Sequence, residues 1–215
     1  MKNINTEILI VGSGLTGLCA AGILSEIGYK ITIIDKNKIG ASYFKTGDFR
    51  TIAISEGSKK IFDDFGFWKN IAQHVTPINK IKVYDRKISN KIDFKNANED
   101  ENLGYIVENK ILKTIFFDKI KKNKNINYYD EVDIKSIETN SRKVSLKSKK
   151  YIFNSSLVVA ADGKFSSLRK LLKINTFKKN YNHSALFLNV VHSKNHKNQA
   201  YEIFKSSGPL AILPM

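Results

Sequence analysis

The stretch from Glu7 to Asp35, EILIVGSGLTGLCAAGILSEIGYKITIID, admits few folds. Ile8 to Val11 are continuously apolar, the pattern of a strand buried on both faces. Gly12, Gly14 and Gly17 then spell G-x-G-x-x-G. In this arrangement the first glycine permits a tight turn and the second lets backbone approach a pyrophosphate. The third lets a helix lie close to the sheet. Leu15, Leu18, Cys19 and Gly22 follow helical spacing, so a helix begins where an anion would sit, its free N–H groups and positive end facing the charge. Ile31, Ile33 and Ile34 form a second strand, closed by Asp35 in position to accept from a ribose hydroxyl. A glycine motif alone says little. Strand, glycines, helix, strand and terminal acid in one unit predict a dinucleotide site.

A membrane span or signal peptide is the competing reading, since Ile8 to Ser25 holds no charged residue. The run carries four glycines, two serines and a threonine and is flanked by Glu7 and Glu26, which argues against it. At 215 residues with 42% hydrophobic content, the chain can build one large domain or two interleaved ones. Its single cysteine, Cys19, excludes an internal disulfide, suits a reducing compartment and reads as a small buried helix residue.

The net charge of +16 raises the question of nucleic acid. Only four of the 36 basic residues are arginine (Arg50, Arg86, Arg142 and Arg169), and the lysines are scattered among Asn and Ile. No nucleic-acid motif accompanies them, so no nucleic-acid partner is expected. Weak attraction to an anionic membrane surface is consistent with the charge. Each retained arginine is a candidate for a role that needs the planar guanidinium fork.

Further along, the pattern predicts a helix from Ser58 with Ile61, Phe62 and Phe65 on one face. A short apolar face at Trp68, Ile71 and Ala72 and a strand at Ile81–Asp85 follow. Residues 87–101 read as irregular, with a solvated acidic cluster at Glu99, Asp100 and Glu101. GYIVEN at Gly104–Asn109 opens a long amphipathic helix carrying Ile111, Leu112, Ile115, Phe116 and Ile120. Strands are expected at Ile126–Tyr129, Val132–Glu138 and Lys143–Leu146. Leu157–Ala161, apolar throughout, reads as another buried strand of a parallel sheet, leading into Asp162 and Gly163 at the sheet's ligand-binding edge. Ala185–Val191, Ala200–Phe204 and Leu210–Leu213 read as strands of an antiparallel sheet, with a turn at Ser206–Pro209. The histidines His74, His183, His192 and His196 follow no metal-ligand spacing, and no Ser-His-Asp or Cys-His arrangement is visible. No metal site and no catalytic side chain are assigned.

Five stretches carry a family resemblance: GSGLTG at Gly12–Gly17, DFRTIAIS at Asp48–Ser55, GYIVEN at Gly104–Asn109, DGKFSSLR at Asp162–Arg169 and YEIFKSSGPLAILP at Tyr201–Pro214. The chain resembles the class A flavoprotein aromatic hydroxylases and, within them, the ubiquinone-biosynthesis hydroxylases. D-G-x-x-S-x-x-R is the most specific of these motifs; the second, third and fifth stretches tilt toward the quinone branch. The resemblance implies an α/β fold, a Rossmann-like FAD-binding domain of the glutathione-reductase type interleaved with an antiparallel-sheet substrate domain. Its expected boundaries are 1–76 and 104–176 for the FAD-binding parts, with 77–103 and 177–215 for the substrate side. It implies that Gly12, Gly14, Leu15, Thr16, Gly17, Asp35 and Lys36 hold the ADP part of FAD. Arg50 would contact the flavin, while Asp162 and Gly163 serve the pyrophosphate and the passing NAD(P)H.

The implied reaction reduces FAD with NAD(P)H and uses O₂ to hydroxylate an electron-rich ring bearing a polyprenyl tail. The family continues past Met215 with a later G-D motif, so the chain is expected to be C-terminally incomplete and inactive alone. The expected partners are the polyprenylated aromatic substrate, a C-terminal half or other ubiquinone-biosynthesis proteins, and a peripheral membrane contact. The expected location is cytoplasmic, at the inner face of the membrane. Two other readings stay open at this stage: a prenyl-group reductase, which shares the first glycine loop, and a basic binding protein or inactive fragment.

Overall fold

The computed structural model describes residues 1–40, 48–85, 91–98 and 101–215. In chain order the elements are β1 (Lys2–Val11), α1 (Leu15–Glu26), β2 (Ile31–Ile34), β3 (Thr51–Ser55), α2 (Glu56–Asp64) and α3 (Trp68–Ile71). Then come β4 (Thr76–Ile78), β5 (Lys80–Asp85), β6 (Lys91–Lys95), β7 (Gly104–Glu108) and α4 (Asn109–Ile120). The remainder is β8 (Ile126–Tyr129), β9 (Ile134–Thr139), β10 (Val144–Ser148), β11 (Tyr151–Ala160), α5 (Ser167–Leu171), β12 (Gln199–Lys205) and β13 (Gly208–Ile212). The chain divides into two compact units, Met1–Gly47 with Lys113–Ala185 and Asp48–Leu112 with Leu186–Met215.

The first unit holds a six-stranded sheet in the order β8-β2-β1-β11-β10-β9. β8, β2, β1 and β11 run parallel, while β10 and β9 are antiparallel additions. Register brings the parallel strands to a common end: Val11 pairs with Ile34 and Ala160, and Ile34 pairs with Tyr129. The residues that follow, Gly12, Asp35 and Ala161, therefore emerge side by side at one carboxyl edge. The connections from β1 and from β11 leave that edge next to each other, the place where open α/β sheets bind ligands. Below the edge, Leu9, Val11, Ile34, Leu146, Phe153 and Leu168 belong to one buried cluster, and α1 packs on β1 and β2. Leu18 and Ala21 of α1 are fully buried.

The second unit holds two sheets, β3-β7-β4 and β13-β12-β5-β6. Ser55 starts α2 by accepting from the Ser58 N–H at 3.2 Å, a side-chain cap for an otherwise unmatched donor. Pro77 lies inside β4, which is tolerated because β4 is the edge of its sheet. Ile78, Ile106 and Ala200 form the core cluster shared by the two sheets of this unit.

Several sequence expectations are corrected. Gly104–Glu108 is a strand paired on both sides, with β3 and β4, and the helix starts only at Asn109. The tyrosine, isoleucine and valine there favour a pleated surface once two partners exist. Lys91–Lys95, expected to be irregular, pairs with β5. Ala185–Val191 is not a strand: residues 174–191 contain neither helix nor strand and lie exposed, Val191 completely so. Alternating apolar residues prepare a strand, but a ladder needs a partner, and no described strand pairs with this segment.

Leu157–Ala160 does run parallel to β1, yet it is not buried on both faces, and Leu157 is 53% exposed. The reason is the length of β10, whose pairing with β11 stops at Ser155. Ile61 of α2 is exposed, and the buried apolar residues of that region are instead Phe67 and Ile71. Glu99, Asp100 and Arg86 lie outside the described residues. Among the described residues no helix is long and apolar enough to cross a membrane.

Candidate cofactor site

Gly12 ends β1 in the left-handed region, at φ +109°, with its N–H donating to the Ile34 carbonyl at 2.8 Å. A Cβ at this position would lie 2.6 Å from the Ala161 carbonyl carbon and 2.9 Å from Asp162 Cα. The turn after β1 and the loop after β11 are thus packed backbone to backbone. Gly17 is tight for a different reason: a Cβ there would be 3.0 Å from the Gly12 carbonyl carbon, and nearer still to its oxygen. Both positions exclude side chains by packing within the protein.

Gly14 is unlike the other two. It has an ordinary extended backbone, and a Cβ built on it meets nothing within 4 Å. The open space lies at the start of α1, where the first helical bond runs from the Leu18 N–H to the Gly14 carbonyl at 3.0 Å. The N–H groups of Leu15, Thr16 and Gly17 precede that ladder. No side chain caps them, and the first turn contains no acid. A phosphate in front of Gly14 would meet backbone donors and the positive end of a twelve-residue helix.

Asp35 follows β2 at the same edge and is half-buried. Its Oδ2 accepts from the Ser13 N–H at 2.6 Å and from the Ser13 hydroxyl at 2.7 Å, while Oδ1 accepts from the Asn37 N–H at 2.8 Å. Lys36 is exposed beside it. The expected acid is present, and sequence reasoning missed the serine that grips it.

Asp162 and Gly163 form the loop beyond β11. Oδ2 of Asp162 accepts from the Ser167 N–H at 2.7 Å, the Ser167 hydroxyl at 3.1 Å and the Leu168 N–H at 3.2 Å. Burial pushes its carboxyl pKa up, but donation from Ser166, Leu168 and Ser167 outweighs that and leaves it lowered. The Ser166 hydroxyl accepts from the Arg169 N–H at 3.0 Å, and the Arg169 guanidinium donates to the Lys164 carbonyl at 2.6 Å. Asp162, Ser166 and Arg169 thus lock the loop onto itself, and Gly163, at φ +80°, makes the bend.

Arg50 belongs to the second unit. Its Nε donates to Asp48 Oδ1 at 2.7 Å and its Nη2 to Oδ2 at 2.9 Å, a two-pronged pair that leaves the arginine side chain 69% exposed. Asn109, buried at the start of α4, binds the pair twice. Its side-chain amide donates to Asp48 Oδ2, and its backbone N–H donates to the Arg50 carbonyl at 2.9 Å. The hydrogen-bonded Arg50 guanidinium, foremost, holds the Asp48 carboxyl well below the usual range. Asp48 and Asn109 lie in the quoted motifs, but their connection was not foreseen. Elsewhere, burial pushes the Cys19 thiol up to about 11, so it stays protonated and unreactive. Among the described residues no cluster of three or more metal-capable side chains occurs.

The FAD binding domain family matches residues 5–215. The chain belongs to that family. It is 26% identical over 221 residues to ubiquinone hydroxylase UbiM of Neisseria meningitidis, covering 99% of this chain and 48% of the relative. It is 29% identical over 210 residues to ubiquinone hydroxylase UbiL of Rhodospirillum rubrum, covering 97% of this chain and 49% of the relative. Among solved structures, a mutant of PqsL from Pseudomonas aeruginosa superposes with a TM-score of 0.69 at 18% identity, covering 82% of this chain and 48% of that one. The chain therefore spans about half the length of the curated relatives it matches.

The residues present fit the family's cofactor. Two glycines are closed by protein backbone, the third opens on a helix N-terminus, and the acid stands at the neighbouring strand end. That is the donor set an adenosine diphosphate moiety requires.

Proposed function

We propose that this chain is the ADP-holding portion of a FAD-dependent monooxygenase. The enzyme would use NAD(P)H and hydroxylate the aromatic ring of a polyprenylated ubiquinone precursor. Family membership and whole-length similarity to named ubiquinone hydroxylases support the reading. The observation that carries it is the open space at Gly14, at the uncapped N-terminus of α1.

In this reading the N–H groups of Leu15, Thr16 and Gly17 bind the pyrophosphate, and Gly12 keeps the turn low enough for it to approach. Asp35 accepts from the adenosine ribose, with Lys36 beside it. Arg50 contacts the flavin, and Asp162 with Gly163 borders the pyrophosphate and the nicotinamide donor's path. FAD, when bound, supplies the redox and oxygen chemistry, so the protein's part is to bind, orient and exclude water. Residues 1–76 and 104–176 would serve the cofactor, and 77–103 with 177–215 the substrate. A cytoplasmic protein resting on an anionic membrane surface accords with the +16 charge and with a prenylated substrate.

Gly14→Asp tests the site. Its side chain occupies the phosphate space and sets a carboxylate against an anion. Titration of the purified chain with ADP and FAD is expected to show binding that the variant loses at unchanged thermal stability. Equal affinity in the variant would refute the assignment.

A further inference from the structure

We infer that Ser13 is a positioning residue for the ribose contact, fixing the Asp35 carboxylate so that Oδ1 is the oxygen presented to the ligand. This rests on the proposed role of Asp35 as ribose acceptor and extends it to a residue of the glycine loop.

The argument is one of capacity. Each carboxylate oxygen offers about two in-plane lone pairs. Oδ2 takes two donors from one residue, the Ser13 N–H at 2.6 Å and the Ser13 hydroxyl at 2.7 Å, and is full. Among the described residues Oδ1 takes one donor, the Asn37 N–H at 2.8 Å, and keeps one acceptor site. With both Ser13 donors on Oδ2, rotation of the carboxylate would break two charge-assisted hydrogen bonds at once. Ser13, which grips Oδ2, is buried, and Asp35 itself is half-buried.

The serine therefore spends its own N–H on the acid. The anion cradle is left to the N–H groups that follow Gly14. Gly14 thus divides the loop's labour: the Ser13 donors before it orient the ribose acceptor, and donors after it bind phosphate.

The probes are ADP and 2′,3′-dideoxy-ADP, with binding measured by calorimetry on the chain and on its Ser13→Ala and Asp35→Ala variants. The wild-type chain should prefer ADP, and Asp35→Ala should abolish the preference. In Ser13→Ala the backbone N–H still reaches Oδ2, so the preference should fall only in part, by roughly threefold to tenfold. Affinity for the dideoxy compound should not change.

A Ser13→Ala variant that keeps the full preference overturns the inference. So does one that loses both ligands equally together with its denaturation midpoint, because the serine's role would then be structural. A wild-type chain that binds both compounds alike overturns the reading of Asp35 itself.

Discussion

Gly17→Ala separates packing from ligand binding within one motif. Gly17 lies inside α1, where alanine is favoured over glycine by about 1 kcal/mol on helix propensity alone. Against this, the added Cβ would sit 3.0 Å from the Gly12 carbonyl carbon and closer to its oxygen. Overpacking costs about 1–3 kcal/mol, and the top of that range applies because the obstacle is backbone. The Gly12 turn cannot yield easily, since it is itself pressed against Ala161 and Asp162. The net expectation is a loss of about 2 kcal/mol, or a fall of about 1 M in the urea midpoint at an ordinary slope. Gly14→Ala is the control: its Cβ meets nothing, so the midpoint should move by no more than about 0.5 kcal/mol while ADP affinity drops. Urea titrations followed by circular dichroism, paired with ADP calorimetry, read both effects. A raised midpoint in Gly17→Ala would show that helix propensity dominates and would refute the packing argument.

With the flavin contact proposed for Arg50, Arg50→Lys should weaken FAD retention severalfold, because lysine cannot span both Asp48 oxygens and so loses the guanidinium's fixed placement. Arg142→Lys, in an exposed turn where only the backbone N–H is used, should change nothing, and equal effects would contradict the reasoning. The Asp48 network should also give stability a definite pH dependence. A carboxyl whose folded pKa is depressed contributes fully above its unfolded value, near about 4, and loses that contribution as pH falls toward the folded value. The gap in urea midpoint between wild type and Asp48→Asn should therefore hold from neutral pH to about 5 and shrink below about 4. A gap that widens on acidification would show that the sign is wrong.

The strand-end edge of the first unit was largely readable because its signals are local. Apolar Ile8–Val11, three glycines at fixed spacing and a terminal acid each bias the backbone within a few residues. The structure sets them side by side at the strand ends. The second half of the chain was less readable. GYIVE suits either the first turn of an amphipathic helix or a central strand, and pairing with β3 and β4 decided for the strand. Ala185–Val191 carries a strand's alternation without a described partner and stays irregular.

By itself the sequence determined which residues could bend or bury: the glycine turn, the parallel core strands and the acid that closes β2. Tertiary structure alone decided that Ser13 fills Oδ2 of Asp35 with two donors, and that Asn109 ties Asp48 to Arg50 across 61 residues of chain. Propensity and periodicity act through a residue's immediate neighbours and are written in the order of the chain. A side-chain hydrogen bond is directional and short, so its partner is fixed only after strand register and helix packing have set two distant backbones within 3 Å of contact.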